Sequence, residues 1–222
     1  MLTADLFPEV PRLAPCSLCG SRGICSTCPR CELRRKLFTP VTQGETEALN
    51  QWWAVRQQEK AEGDRRRLER FKRFSTLQRP VRLALLGCSA KKAASPAPAE
   101  SLYQGRFFRT SLLYARNVLL ADEVFILSAL HGLVALDEVI APYERSLADA
   151  PKDERAAWAW RVGSMLDEKF VGLAVEAHFL AGQAYLPRVD STTWTLRVPL
   201  AGLALGQRYR VLTKAIQSGV PL

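Results

Sequence analysis

Residues 81–92 read VRLALLGCSAKK: an apolar run, a glycine, and then a thiol, a hydroxyl and two lysines. A short apolar run that ends at a glycine is typical of a buried strand. Small and reactive residues follow directly. The segment therefore predicts a strand and, at its carboxyl end, a turn that can take part in a functional site.

The residues that follow alternate between strand and helix patterns. Further strands are predicted at 123–127, 173–180 and 193–198, and helices at 106–120, 152–170 and 206–218. Strands that alternate with helices need crossover connections, which favour a mostly parallel sheet. Residues 80–222 are therefore predicted to form an α/β domain in which helices flank a mostly parallel sheet.

Polar or reactive residues follow the first three predicted strands. In open α/β sheets, ligands bind beyond the carboxyl ends of the strands, so these residues are expected to share one edge. The candidate catalytic groups are Lys91, His131 and Glu138. The candidate substrate-binding residues are Gly87, Cys88, Ser89, Lys92, Tyr103, Phe107, Ser128, Tyr143 and Tyr185.

Each candidate has a chemical reason and a plainer alternative. A lysine held in a pocket, such as Lys91, serves as an electrophile, a phosphate clamp or an amine nucleophile, whereas an exposed loop lysine is only solvated. His131 follows a strand and fits acid–base chemistry better than His178, which lies inside one. Cys88 is either a nucleophile or a buried filler of the strand end.

Glycosidic cleavage needs a carboxylate that orients water or stabilises an oxocarbenium-like centre, and an aromatic ring that stacks on the base. Glu138 and Tyr143, on the segment after the second strand, are candidates for these roles. Tyr103 and Phe107 either form one wall of a flat slot or pack beneath the sheet.

A different kind of signal lies near the N-terminus, where five cysteines follow the pattern C-x2-C-x5-C-x2-C-x2-C. They are Cys16, Cys19, Cys25, Cys28 and Cys31. Thiolate pairs two residues apart suit a tetrahedral zinc site, so residues 1–40 are predicted to form a small metal-binding module. An iron–sulfur cluster is the alternative, because the last three cysteines resemble a cluster loop; disulfides are a third.

Residues 43–75 are predicted to form one long helix, either continuous or broken near Gly63, within a basic linker at 41–79. Its second half carries six cations interleaved with aromatic residues: Arg65, Arg66, Arg67, Arg70, Lys72 and Arg73. Such a face suits phosphate contacts, although a core-facing stripe opposite a solvated face gives the same pattern.

Charge and hydropathy narrow the classes of function. The 222-residue chain has a net charge of +9, and residues 1–79 hold 15 Lys and Arg against 9 Asp and Glu. This basic excess predicts a nucleic acid as partner, with DNA favoured over RNA, although it also serves solubility.

No apolar run is long enough to span a membrane, and the acidic opening MLTADLF does not look like a signal peptide. A cytoplasmic location is expected, where clustered cysteines usually bind metal.

Six ordered motifs carry a family resemblance: LLGCSAKK (85–92), APAxxLYxGxxF (97–108), FILSAxHGL (125–133), DEVIxPY (137–143), FLAGxxY (179–185) and VPLAGLxxGQ (198–207). Together they resemble a prokaryotic and phage domain family of unknown function that is related to the peroxide-stress protein YaaA. The Cys-Ser-x-Lys-Lys turn is also similar to a domain of archaeosine synthase, which acts on a deazaguanine base in tRNA.

The resemblance covers residues 81–210 and implies a fold shared with uracil-glycosylase-like enzymes and a role associated with nucleobases or nucleic acids. Relatives have an Asp-Pro step where this chain has Ala135 and Leu136. We therefore expect an enzyme that cleaves, exchanges or elaborates a nucleobase in DNA or RNA. The alternatives are a non-catalytic nucleic-acid-binding protein of a stress or damage response, and an enzyme that acts on free nucleotides.

Overall fold

The structure, a computed structural model, describes residues 43–222. The cysteines of the predicted metal module lie outside these residues. The first described element is a single helix, α1 (Gln43–Phe74), which continues through Gly63 without a break. A boundary between two compact units falls within this helix, between Ala61 and Glu62.

The second unit is built on a five-stranded sheet. Its strands are β1 (Val81–Gly87), β3 (Glu123–Ser128), β4 (Gly132–Ala135), β6 (Val175–Leu180) and β7 (Trp194–Arg197). The spatial order is β4-β3-β1-β6-β7. Strand β1 pairs in parallel with β3 and β6, and β6 pairs in parallel with β7, whereas β4 runs antiparallel to β3. The predicted α/β class and mostly parallel sheet are confirmed.

Helices cover both faces of the sheet. Alternate residues of the central strand β1 point to opposite faces, so each face packs against its own set of helices. Leu83 and Leu85 pack with α4 (Lys152–Lys169) and the end of α1. Ala84 and Leu86 pack with α3 (Arg106–Asn117) and α5 (Leu205–Ser218). Burial on both faces explains why β1 is an almost continuous apolar run rather than an alternating one.

Three small elements beside the sheet were not predicted. A two-residue strand, β2 (Ala97–Pro98), pairs antiparallel with β5 (Val139–Ile140), and the one-turn helix α2 (Ala99–Leu102) follows β2. Strand β4 was also missed, since a glycine followed by three apolar residues reads as part of a loop. The two-residue strands and the one-turn helix are too short to leave a period in the sequence, and β2 and β5 lie about 40 positions apart in the chain.

The predicted helix at 106–120 was too long. Helix α3 ends at Asn117, and Leu120 adopts a left-handed backbone with φ of 52°. That conformation is unfavourable for a leucine and incompatible with a helix, so it turns the chain into β3. Among residues 43–222, no helix is both long and apolar enough to cross a lipid bilayer.

Candidate functional site

The carboxyl ends of β1, β3 and β6 bring three distant loops into contact. The backbone N–H of Cys88 donates to the carbonyl of Leu127 (3.1 Å), which joins the first two loops. The Cys88 thiol donates to the hydroxyl of Tyr185 (3.6 Å), which lies on a 3₁₀ turn, Gln183–Tyr185, beyond β6. That hydroxyl also accepts from the backbone N–H of Leu147 (3.2 Å). The edge predicted from the strand pattern is therefore a real meeting point.

A chain of hydroxyl groups runs beneath this edge. The hydroxyl of Tyr143 lies 2.8 Å from Ser128 Oγ and 2.9 Å from the hydroxyl of Tyr103, and either partner can donate in each pair. Ser128 Oγ also accepts from the backbone N–H of His131 (3.0 Å). Tyr103 and Ser128 are fully buried, so their polar atoms depend on these bonds.

Burial keeps the tyrosines of this network protonated. It raises the pKa of Tyr143 far above the ordinary value, and it also raises the pKa of Tyr103. Burial, with the Cys88 thiol nearby, raises the pKa of Tyr185 to about 12. At neutral pH these phenols act as hydrogen-bond donors and acceptors, and a tyrosinate base is excluded.

The two lysines of the loop after β1 lie in different surroundings. Residue Lys92 pairs with Tyr103 as an isolated antiparallel bridge, and its ammonium lies 4.4 Å from the centre of the Tyr143 ring. An extended backbone sends neighbouring side chains in opposite directions, so Lys91 points away from Lys92. The loop is thus a wall between two cavities.

The first cavity, the reactive cavity, has a volume of about 450 Å³. Its lining residues are Cys88, Ser89, Ala90, Lys92, Glu144, Arg145, Ser146 and Tyr185. It holds a thiol, an ammonium and a carboxylate. Arg145 is paired with Glu154, whereas Glu144 has no ion pair or hydrogen bond with any described residue. Glu144 therefore supplies the free carboxylate here.

Glu138, the candidate from the sequence, lies elsewhere. It is exposed on the turn between β4 and β5, where its carboxylate accepts from the backbone N–H of Ala135 (3.3 Å). This contact gives Glu138 a structural role in the turn. The ring of His131 packs edge-on against Tyr143, with centroids 5.3 Å apart.

The second cavity, the basic cavity, has a volume of about 400 Å³ and lies on the other side of the loop. It is lined by Lys91, Gln104, Arg106, Arg109, Thr110 and Leu113. It shares a structural link with the reactive cavity, because Ser89 Oγ donates to the carbonyl of Lys91 (2.6 Å) and accepts from the N–H of Gly105 (3.0 Å).

Two of the remaining candidates have structural positions. A Cβ on Gly87 would lie 3.0 Å from the Cβ of Ala181, so glycine permits close packing of β1 against the loop after β6. Phe107 is half-buried and packs against the α3 side of the core rather than lining a cavity wall. Of the two readings given for Phe107, the structure favours core packing.

A third cavity, of about 490 Å³, lies near the amino ends of β1 and β6 and is lined in part by Arg82, Glu176, His178 and Arg197. Glu176 accepts from Arg197 Nε (3.1 Å) and lies 3.6 Å from His178 Nε2. His178 is buried, which lowers its pKa, and its Nδ1 has no hydrogen-bond partner among the described residues.

The cations of α1 are largely engaged within the protein. Arg66 pairs with Glu62, and Arg67 pairs with Asp64. Arg70 bonds Glu123 through Nε (3.0 Å) and lies 5.5 Å from the centre of the Phe170 ring, so it fastens the helix to the sheet. Among the six cations named from the sequence, Arg65, Lys72 and Arg73 are exposed and form no ion pair with a described residue.

Sequence reasoning missed Glu144, Arg106 and Arg109. Glu144 directly follows Tyr143, in a stretch whose pattern gives no sign that separates it from a solvated loop carboxylate. Arg106 and Arg109 stand in the first turn of α3 without an acidic residue nearby in the helix, a signal that could have found them.

The five cysteines lie outside the described residues, and residues 43–222 contain no cluster of three or more His, Cys, Asp or Glu side chains able to hold a metal ion.

Comparison with protein families gives one match. A model described as "Family of unknown function (DUF6884)" matches residues 83–214, which include most of β1, the reactive and basic cavities and most of α5. Among curated proteins, the search finds no match.

Proposed function

We propose that this chain, which belongs to the DUF6884 family of unknown function, is an enzyme that cleaves or exchanges a nucleobase in a nucleic acid. The observation that carries the proposal is the content of the reactive cavity. A carboxylate (Glu144), an ammonium (Lys92) and a thiol (Cys88) line one hollow at the carboxyl edge of a parallel sheet. This edge is where α/β folds bind ligands.

These groups suit cleavage of an N-glycosidic bond. The oxygen of a water bonds to C1′ of the sugar, the C1′–N bond breaks, and its electron pair stays on the base nitrogen. Glu144 orients the water and takes its proton, while Lys92 donates a proton to the departing nitrogen. In base exchange, a nitrogen of the incoming base replaces the water.

The hydroxyl chain supports the reaction by holding Lys92 in place. The Lys92 ammonium lies 4.4 Å from the centre of the Tyr143 ring, and Tyr143 is itself fixed by hydrogen bonds to Tyr103 and Ser128. A ring held on its edge by two buried partners restricts the ammonium to one side of the cavity. Tyr143 is thus a positioning residue rather than a free stacking platform.

Cys88 has a separate role in the proposal. Its thiol donates to Tyr185, which fixes its direction towards the cavity wall. We assign Cys88 to substrate contact, and a covalent intermediate on its sulfur is the competing role. Cys88→Ser keeps a hydrogen-bonding group of similar size: full activity supports contact, and loss of activity with retained binding supports the nucleophile.

The proposal includes a nucleic-acid strand, DNA before RNA, as the substrate. The net charge of +9 and the exposed α1 cations Arg65, Lys72 and Arg73 favour binding to a polyanion. The closer relation implied by the sequence motifs, to YaaA and to uracil-glycosylase-like enzymes, belongs to this proposal as well.

The decisive experiment measures released base by mass spectrometry. The full-length protein is incubated with single- and double-stranded DNA, RNA and free nucleosides that contain natural or modified bases. We expect Lys92→Ala and Glu144→Gln to lower product at least about 100-fold, as loss of an acid or base does, with little change in binding. Lys214→Ala, which removes an exposed lysine of α5, is the matched control.

Three results would redirect the proposal. Binding to nucleic acid with no released base from any substrate would favour the non-catalytic binding protein. Release from free nucleosides alone would favour the enzyme on free nucleotides. Product from Lys92→Ala and Glu144→Gln at the wild-type rate would remove the reactive cavity from the mechanism.

We further propose that the N-terminal cysteines bind zinc, with an iron–sulfur cluster as the alternative. Elemental analysis of anaerobically purified protein, together with its visible absorption spectrum, tests this. One zinc per chain and a colourless solution are expected. Iron and a brown colour would show the cluster, and the absence of both metals would refute metal binding.

A further inference from the structure

The basic cavity holds three cationic side chains and no carboxylate. Lys91 comes from the loop after β1, and Arg106 and Arg109 come from the first turn of α3. All three are exposed, and none forms an ion pair with a described residue. The Arg106 guanidinium lies instead over the ring of Tyr209, 4.2 Å from its centre.

This lack of neutralisation contrasts with two other surface cations of the second unit. Arg116, on the same helix, is paired with Glu100, and Arg79 is paired with Asp122. Neither α3 nor α5 contains an acidic residue. Clustered like charges repel one another, so three cations around one hollow favour a bound anion.

The hydrogen bonds around the cavity hold two of its walls together. Ser89 Oγ joins the loop after β1 to the N-terminus of α3, and the backbone N–H of Gln104 donates to the carbonyl of Lys91 (2.9 Å). The first-turn N–H groups of the twelve-residue helix α3 add positive potential at the same place.

The position of the basic cavity is as informative as its charge. The same loop lines both cavities, with Lys92 on the reactive side and Lys91 on the basic side. A ligand that spans this loop would place a neutral or reactive part in the reactive cavity and an anionic part beside the three cations. A nucleotide has this division between its base and its phosphate.

We infer that the basic cavity is a phosphate subsite for the nucleotide whose base occupies the reactive cavity. This inference rests on the proposed function and deepens it by assigning the contact that holds the substrate. Arg106 and Arg109 contact the phosphate oxygens through their planar guanidinium groups, and Lys91 supplies a point charge.

The test compares two double variants of the full-length protein. Arg106→Ala/Arg109→Ala removes two cations of the cavity, whereas Arg210→Ala/Lys214→Ala removes two exposed cations of α5 that do not line it. Both lose the same charge and neither alters a buried residue. The dissociation constant for a single-stranded DNA oligonucleotide is measured by fluorescence anisotropy over a range of salt concentrations.

We expect the cavity variant to weaken binding by about 10- to 100-fold, with the control changing much less. The slope of log K against log salt should fall by about 1.4, since each lost phosphate contact removes roughly 0.7 for a single strand. Equal losses in the two double variants would overturn the inference, because the effect would then be one of net charge.

A second arm identifies the source of the phosphate. A nucleoside 5′-monophosphate and the matching nucleoside are titrated against the same proteins. If the cavity variant loses the preference for the monophosphate, the subsite takes the nucleotide's own phosphate. If only oligonucleotide binding falls, it takes a neighbouring phosphate of a strand. Both results support the subsite, and unchanged affinity for all ligands overturns it.

The outcome is separable from that of the proposed function. Weakened binding by the cavity variant, in a protein that releases no base from any substrate, keeps the subsite and refutes the enzyme. Base release with unchanged dissociation constants in the cavity variant keeps the enzyme and refutes the subsite.

Discussion

The two cavities that share the loop at residues 88–92 are built in opposite ways. The reactive cavity rests on buried and half-buried groups that satisfy one another: Tyr103, Ser128 and Tyr143 form a hydroxyl chain, and Tyr185 holds Cys88. The basic cavity is lined by exposed cations without acidic partners. Buried networks fix geometry but are costly to disturb, whereas exposed charges attract a ligand and are cheap to change. One loop therefore separates a cavity whose geometry is fixed by hydrogen bonds from a cavity whose main property is its positive charge.

The largest expected effect is alkaline unfolding that starts on the reactive side. Burial raises the pKa of Tyr103, Tyr143 and Tyr185, so these phenols stay neutral in the fold above pH 10, while the unfolded chain ionises. Their contribution to stability is complete below pH 10 and is lost as pH rises through the folded-state values. Tyr209, on the basic side, differs: its hydrogen bond with Arg106 lowers its pKa.

Absorbance at 295 nm, followed during an alkaline titration, checks this contrast. Of the five tyrosines, Tyr209 should ionise first and reversibly. The other four, including Tyr114, whose pKa burial also raises, should ionise together with the loss of circular dichroism. Arg106→Ala should move the early step to higher pH. Five tyrosines that titrate in one step near pH 10, with the fold intact, would contradict the prediction.

The next largest effect is expected from Tyr143→Phe. The variant removes the hydroxyl that both Ser128 and Tyr103 contact, and it leaves the buried Tyr103 hydroxyl without its partner. An unsatisfied buried polar group costs about 1–3 kcal/mol, so the free energy of unfolding should fall by about 2 kcal/mol in urea titrations. Tyr209→Phe is the matched control on the basic side, with a change below about 0.5 kcal/mol. Equal losses in the two variants would erase the difference between the cavities.

A smaller effect is expected at Gly105, which lies in the wall common to both cavities. A Cβ at this position would lie 2.7 Å from Ser89 Oγ, so Gly105→Ala must displace Ser89 from its hydrogen bond. We expect the free energy of unfolding to fall by about 1 kcal/mol, because alanine also restricts the unfolded chain and this offsets part of the steric cost. Chemical denaturation measures it, with Gly206→Ala as the control, since a Cβ there meets no atom within 4 Å. A loss at Gly206 as large as that at Gly105 would show that the steric argument fails.

The smallest effect on stability is expected from Arg109→Ala in the basic cavity. Arg109 is exposed and has no ion pair among the described residues, so its removal should change the unfolding free energy by less than about 0.5 kcal/mol. Removal of a like charge beside Arg106 and Lys91 relieves repulsion, so we expect a slight rise in the melting temperature at low salt. A clear fall in stability would show that Arg109 supports the fold and would weaken its assignment to ligand binding.

Local patterns were sufficient for much of the fold. The apolar run of β1 and its closing glycine predicted a buried parallel strand, and the strands at β3, β6 and β7 were found within a few residues. The short elements β2, β4 and β5 were missed, because none of them alternates apolar and polar residues, whereas the equally short β7 does. The helix predicted to reach Leu120 was too long, since a left-handed residue leaves no mark in a hydrophobic pattern.

For the candidate site, the prediction that groups after β1, β3 and β6 lie together depended on topology alone, and the structure places Cys88, Ser128 and Tyr185 at one edge. The choice of individual groups was less accessible. Adjacent lysines look equivalent in a sequence, and only the bridge between Lys92 and Tyr103 shows which of them faces the reactive cavity. Similarly, the sequence places both Glu138 and Glu144 in a polar loop, and only their contacts in the structure tell the two carboxylates apart.

The sequence by itself determined the class of the fold, the edge of the sheet that carries the reactive residues, and the cysteine pattern that predicts a metal. The fold class and the edge follow from the hydrophobic pattern of each segment, and the metal prediction follows from the spacing of the cysteines. Both are local properties of the sequence. Only the tertiary structure decided which cations form ion pairs, which hydroxyl groups are hydrogen-bonded to one another and which carboxylate lines a cavity. Those properties arise between residues as far apart as Cys88 and Tyr185, separated by 97 positions, and no local pattern encodes such contacts.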